Sequence, residues 1–408
     1  MGFTVEQECP QCGGPVELDE GHRLLRCPYC SVNIFLFAPN HFRFVLPHKV
    51  PDREIVYMPY FRFMGSAFFC GDLRVSHRFL DITHAGIALN GIPSSLGLRP
   101  QAMKMKFVSP DTQGKFLQSP PEPHDILEKA TRPVSAGSGT RVYHKAYIGE
   151  TVSLIYLPLF IRENRVFDAV LNRHLFDLPP GRDLPGTDKL SRSEWKLTFL
   201  PTLCPQCGWD LEGDRDSVVL TCSNCDSGWE ASDEKFNKTD LWTARGQDKQ
   251  TVYLPFWRIS ASAEDLGINS FADFIRIINQ PVAIKKEWEN REMDFWIPAF
   301  KIRPKIFLRL SGQVTVRQHV FLPEKRIPKK NQHPVTLPRA EAVQAMKITL
   351  ADVSMNKRKI LPLLPEVAFD IKGYALVYLP FSDTGPDMTL NDTRISINKQ
   401  ALKFGRKL

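Results

Sequence analysis

The sequence predicts a mainly β protein with a few helices (α+β), made of two homologous halves, each a small cysteine module followed by a β-rich domain. Three observations lead there. The pentapeptide CPQCG stands at 9–13 and again at 204–208, an offset of 195 residues. A pattern of aliphatic, Tyr, aliphatic and Pro occurs twice in each half: VYMPYFRF (56–63), LIYLPLF (154–160), VYLPFWRI (252–259) and LVYLPF (376–381). The chain also carries 32 Pro and 27 Phe in 408 residues, which favours short strands and turns over long helices.

Each half begins with cysteines. Cys9, Cys12, Cys27 and Cys30 match Cys204, Cys207, Cys222 and Cys225, and fourteen residues separate the two CxxC pairs in both copies. Between the pairs, PVELDEGHRLLRC and WDLEGDRDSVVLTC read as strand, polar turn and strand, which returns the second pair to the first. The Tyr and Pro segments follow as strands, and because Pro lacks an amide donor they are expected at sheet edges or bulges. LRPQAMKMKF and IRPKIFLRL align on Pro100 and Pro304. In the second copy strand alternation places Lys301, Arg303, Lys305, Phe307 and Arg309 on one face. Helical patterns are HDILEKA near His124, DLGINSFADFIRIINQ from Asp265, and PRAEAVQAMKITL from Pro338. The divisions are ribbon 1 at 1–45, a β-rich domain at 46–178, an exposed Pro- and Gly-bearing linker at 179–195, ribbon 2 at 196–240 and a second β-rich domain at 241–408.

CxxC suits metal because two intervening residues form a tight knuckle that sets two thiolates at adjacent corners of a tetrahedron, about 2.3 Å from the ion. In spacing, residues 8–32 and 203–230 resemble the zinc ribbons of transcription-factor and rubredoxin-like type. The resemblance implies one ion per ribbon on Cys9, Cys12, Cys27 and Cys30 and on Cys204, Cys207, Cys222 and Cys225, hence two zinc ions per chain. Iron is the rival. Rubredoxin-like sites resemble CPxCG at both knuckles, whereas here Ser31 and Asp226 occupy the final position of the second ones. Four thiolates fill the tetrahedron, so such a site is structural. Cys70, the ninth cysteine, reads as a small buried apolar residue.

A composition of 43% hydrophobic and 24% charged residues is that of folded domains rather than disorder. No apolar run reaches the 18 residues of a membrane-spanning helix and no secretory signal is visible, so the expected compartment is the cytoplasm, where thiols stay reduced. The ten histidines fall in none of the hydrolase motifs, and no phosphate loop or dinucleotide fingerprint is present. The reading is therefore a non-enzymatic protein-interaction or scaffold component of a larger assembly. Its alternative is a nucleic-acid-binding factor. The net charge of +8 is concentrated at 301–360, where fourteen Lys and Arg face three acids, and Lys301, Arg303, Lys305 and Arg309 are the candidate residues for an anionic partner, with the tail KFGRKL beside them. Ribbon 2 opposes that alternative, because its eight carboxylates between Cys204 and Glu234 face Arg215 alone and would repel phosphate. Such an acidic ribbon suits a basic protein surface, on this chain or on a partner.

Overall fold

The computed structural model describes residues 2–50, 54–117, 141–179, 184, 187–188, 197–246, 250–318, 321–328, 330–391 and 393–406. Among them strand outweighs helix, 44% against 18%, so the chain is mainly β with α+β character. The first half runs β1 (Thr4–Glu8), β2 (Pro15–Asp19), β3 (Leu24–Arg26), β4 (Asn33–Phe37), β5 (Phe42–Val45), β6 (Ile55–Gly71), β7 (Arg74–Ala85), α1 (Arg99–Ala102), β8 (Lys104–Phe107), β9 (Lys115–Leu117), β10 (Val142–Arg162), β11 (Arg165–Asp168) and β12 (Arg173–Asp177). After β13 (Thr187–Asp188) come β14 (Thr198–Pro201), β15 (Val219–Cys222), β16 (Ser227–Ser232), β17 (Lys235–Thr239), β18 (Leu241–Ala244), β19 (Val252–Ser262), α2 (Phe271–Ile278) and β20 (Asp294–Pro298). The remainder is α3 (Pro304–Arg317), β21 (Pro323–Glu324), α4 (Arg339–Val353), α5 (Lys357–Ile360), β22 (Asp370–Asp383), β23 (Asp387–Leu390), β24 (Ser396–Asn398) and α6 (Lys399–Gly405).

Both large sheets are built on a long antiparallel pair of the Tyr and Pro strands. In β6 and β10, Pro59 lies opposite Tyr156 and Tyr57 opposite Pro158; in β19 and β22, Pro255 lies opposite Tyr378 and Tyr253 opposite Pro380. The outer neighbours follow one plan. Along β10 a parallel partner, β5, ends at Tyr156 and an antiparallel one, β11, begins at Leu159; along β22, parallel β18 ends at Tyr378 and antiparallel β23 begins at Phe381. These strands are thus interior, not edges. Each Pro sits where one neighbour stops and the next starts, so its missing donor interrupts no ladder. Its carbonyl is still used: the amides of Gly86, Ala169, Ala299 and Asn391 donate to the carbonyls of Pro59, Pro158, Pro255 and Pro380.

Helices cover the second sheet and reach the first. Ser270 opens α2 with a capping box in which Asp273 returns the bond, and five apolar side chains of this helix are buried. The segment expected as a cationic strand is instead α3. Pro304 occupies its first turn, where no amide donor is needed, and Pro304, Phe307, Leu308, Ser311, Val314 and Thr315 are buried at helical spacing. Phe68, Cys70, Ala146 and Ile148 of the first half share one apolar cluster with Trp257, Phe307 and Ala345 of the second. The Phe68 and Phe307 rings lie 6.0 Å apart. Cys70 is fully buried there, as expected of a small apolar residue, and burial pushes its thiol up to about 12. Of the expected linker only Pro179, Leu184, Thr187 and Asp188 are described. Pro179 is exposed as expected, Leu184 is buried among first-half residues, and the backbone of Thr187 and Asp188 pairs with that of Leu117 and Phe116. HDILEKA lies outside the described residues.

Candidate metal centres

All four cysteine knuckles turn the same way. The amides of Gly13, Ser31 and Gly208 donate to the carbonyls of Cys9, Cys27 and Cys204 at 2.8, 3.0 and 2.8 Å. The amides of Cys9, Cys27 and Cys204 in turn donate to Gly14, Val32 and Trp209. The residue four places after each leading cysteine is left-handed: Gly13 at φ 74°, Ser31 at 61°, Gly208 at 73° and Asp226 at 51°. Glycine takes this conformation without strain, whereas Ser and Asp adopt it at a cost.

These turns gather Cys9, Cys12, Cys27 and Cys30 into one set and Cys204, Cys207, Cys222 and Cys225 into another, every sulfur within 4.8 Å of the others in its set. Closest approaches are 3.7 Å for Cys9 and Cys30, 3.6 Å for Cys12 and Cys27, 3.6 Å for Cys204 and Cys225, and 3.5 Å for Cys207 and Cys222. A disulfide requires about 2.05 Å. A tetrahedron with metal–sulfur bonds of about 2.3 Å has edges near 3.8 Å, so both sets fit a four-thiolate metal site. In the second set the thiols divide. Hydrogen bonds from the Asn224 side chain and the Trp209 amide lower Cys207 to about 6, while burial and its neighbouring thiols push Cys222 up to about 12. A cation removes that conflict by stabilising all four as thiolates. Around this set Ser227 Oγ lies 3.0 Å from Cys225 Sγ and accepts from the Trp229 indole at 2.8 Å, which fixes the hydroxyl beside the sulfur.

The two ribbons pack on each other. Strand β4 pairs with β3 of its own ribbon and with β14 at the entry to ribbon 2. Leu24 and Phe35 share a cluster with Leu200, Leu211, Leu220 and Trp229. The amides of Arg23 and Leu24 both donate to the Arg215 carbonyl, at 2.7 and 2.9 Å, and the Arg26 guanidinium reaches the Gly213 carbonyl at 2.6 Å. Ribbon 2 also docks on the basic stretch of its own chain. Asp226 accepts from the Ile327 amide at 3.0 Å, Glu230 lies 3.9 Å from Arg339, and Arg406 bridges Asp214 and Asp216.

The four candidate cations do not form one surface. Lys305 and Arg309 stand one helical turn apart on the exposed side of α3, opposite buried Phe307, and Arg309 donates to the Ser396 carbonyl at 2.8 Å. Arg303 is exposed before the helix. Lys301 points inward, where its Nζ donates to Thr151 Oγ1 at 3.0 Å. In the tail, residues 403–405 belong to α6 and Arg406 is held by ribbon 2. Sequence reasoning named none of the first-half residues around Lys301, because Arg23, Glu150 and Thr151 come together only through the packing of the halves. No helix among the described residues is long and apolar enough to cross a membrane. No protein-family model, no curated protein and no solved structure matches this chain.

Proposed function

We propose that this is a non-enzymatic, zinc-organised interaction protein, a scaffold component of a larger assembly whose two four-thiolate centres are structural. One observation carries the reading: each closed cysteine set stands beside a large aromatic side chain left in solvent, Tyr29 (65% exposed) at ribbon 1 and Trp209 (57%) at ribbon 2. A filled tetrahedron leaves no position for water or substrate, so the ions contribute folding free energy rather than Lewis acidity. Aromatic side chains are enriched at the centres of protein interfaces, and the carboxylates around Trp209 suit a partner with a basic, apolar face. Zinc is the ion of this proposal, since a four-thiolate tetrahedron suits its filled d shell and reduced cytoplasmic thiols are available to it. The matched strand plans of the two sheets, together with the repeated cysteine spacing, support an origin of the halves by internal duplication.

The test is affinity capture with the zinc-loaded chain and its Trp209→Ala and Tyr29→Ala variants. The reading expects stoichiometric protein partners on the wild type, lost from at least one variant that retains two zinc ions. Absence of any stoichiometric protein, or capture unchanged by both substitutions, would sink it. Binding to random duplex that falls steeply with salt would favour the nucleic-acid alternative instead.

A further inference from the structure

A cleft of about 1070 Å³ opens where both ribbons and both large sheets meet. Residues 19–23 of ribbon 1 and 214–216 with Val218 of ribbon 2 form two of its walls; Glu150 and Thr151 of β10 and Lys301, His333 and Glu341 of the second half form the others. It is at the upper end of the volumes of about 300–1,000 Å³ common for small-molecule sites. Several charges on it are already matched: Glu20 pairs with Arg62, Asp214 and Asp216 with Arg406, and Lys399 with Asp383.

Of its cations without an ion pair among the described residues, Arg26, Arg215 and Lys403 are exposed, whereas Arg23 and Lys301 are not. The Arg23 guanidinium lies over the Phe42 ring, 4.4 Å from its centre, and the Lys301 ammonium donates to the Thr151 hydroxyl. Neither has a carboxylate within ion-pair distance among the described residues, yet the two are near enough that the charge of Arg23 helps lower the Lys301 ammonium, behind the larger effect of burial. Glu341 is the carboxyl that both feel, but the Gly149 and Glu150 amides already donate to it. Burial and the neighbouring Glu150 further push Glu341 up to about 8 and burial raises Glu150 to about 7, while Glu20 and Asp216, which also act on Lys301, are held by Arg62 and Arg406. Two like charges held together in a partly desolvated cleft cost free energy that an anion between them would offset. A planar guanidinium fork and an ammonium together match the oxygens of a phosphate or carboxylate.

We propose that the cleft between the halves binds a small organic anion, a phosphate monoester or a carboxylate, through Arg23 and Lys301. The site is whole only when both ribbons are folded, because each supplies a wall.

Isothermal titration of the full chain loaded with two zinc ions tests this, with glycerol 3-phosphate and succinate as probes and glycerol as the neutral control at matched ionic strength. Saturable 1:1 binding of at least one anion and none of glycerol is expected, and the preferred probe distinguishes phosphate from carboxylate recognition. Affinity should fall about tenfold or more in Arg23→Gln and in Lys301→Met, as for loss of a charged hydrogen bond, and stay unchanged in Lys285→Ala, outside the cleft. Zinc content and a cooperative melt check each variant; should Arg23→Gln fail to fold, Lys301→Met carries the comparison. No saturable binding of either anion at millimolar concentration, or equal affinity in wild type and folded variants, overturns the proposal.

Discussion

Glu341, only 7% exposed on the first turn of α4, accepts the Gly149 and Glu150 amides while Glu150, Lys301 and Arg23 face it. Burial, then the charge of Glu150, raise its carboxyl from 4.5 to about 8. The folded chain therefore holds a proton that the unfolded chain releases, and this contribution to stability is lost as pH rises from about 5 to 8. Glu341→Gln, which cannot ionise, should lose less melting temperature than wild type between pH 6 and pH 8.5; parallel curves would show that the carboxyl is ordinary. At the knuckles the limiting group is backbone. A Cβ at Gly208 would meet no atom within 4 Å, so Gly208→Ala exposes only the cost of φ 73°. About 1–2 kcal/mol should appear as a lower urea midpoint with zinc still bound.

Among the elements, the prolines and α3 show how far sequence carries. The Tyr and Pro segments are readable as strands from their aromatic and branched residues, but a missing donor looks the same at an edge and at a changeover between two neighbours. Only the pairing of Gly86, Ala169, Ala299 and Asn391 with the four Pro carbonyls reveals the latter. In KIRPKIFLRL a period of two fits ten residues as well as a helical period does. The helix becomes legible when the window runs on through Ser311, Val314 and Thr315 and Pro304 is taken as a start signal. The cysteine sets were legible because CxxC spacing alone confines four sulfurs, whereas the cleft residues lie far apart in sequence and carry no local pattern. The helix expected from Asp265 stands only over Phe271–Ile278, where Ser270 and Asp273 form its capping box. Ser270→Ala should cost about 1 kcal/mol in a denaturant titration through loss of the cap, and no measurable loss would mean that tertiary packing alone holds α2.

At the scale of the whole molecule the ribbons act as braces between halves. Ribbon 1 extends the first sheet through β1, which pairs with β8, and joins ribbon 2 through β4 and β14, while ribbon 2 holds the C-terminal helix through Arg406. Loss of one ion should therefore be felt beyond its own ribbon. In Cys207→Ser, hydrogen exchange should rise not only at 204–232 but also across 23–37 of ribbon 1, where the Arg215 and Gly213 carbonyls hold the neighbouring backbone and the Arg26 side chain. Exchange confined to ribbon 2 would mean that the two fold independently. The central claim, that both four-cysteine sets are structural zinc centres on which this bracing depends, is tested most directly by metal analysis of the purified full chain with protein quantified in the same sample. Two zinc ions per chain are predicted; none, one, or iron in place of zinc would contradict it.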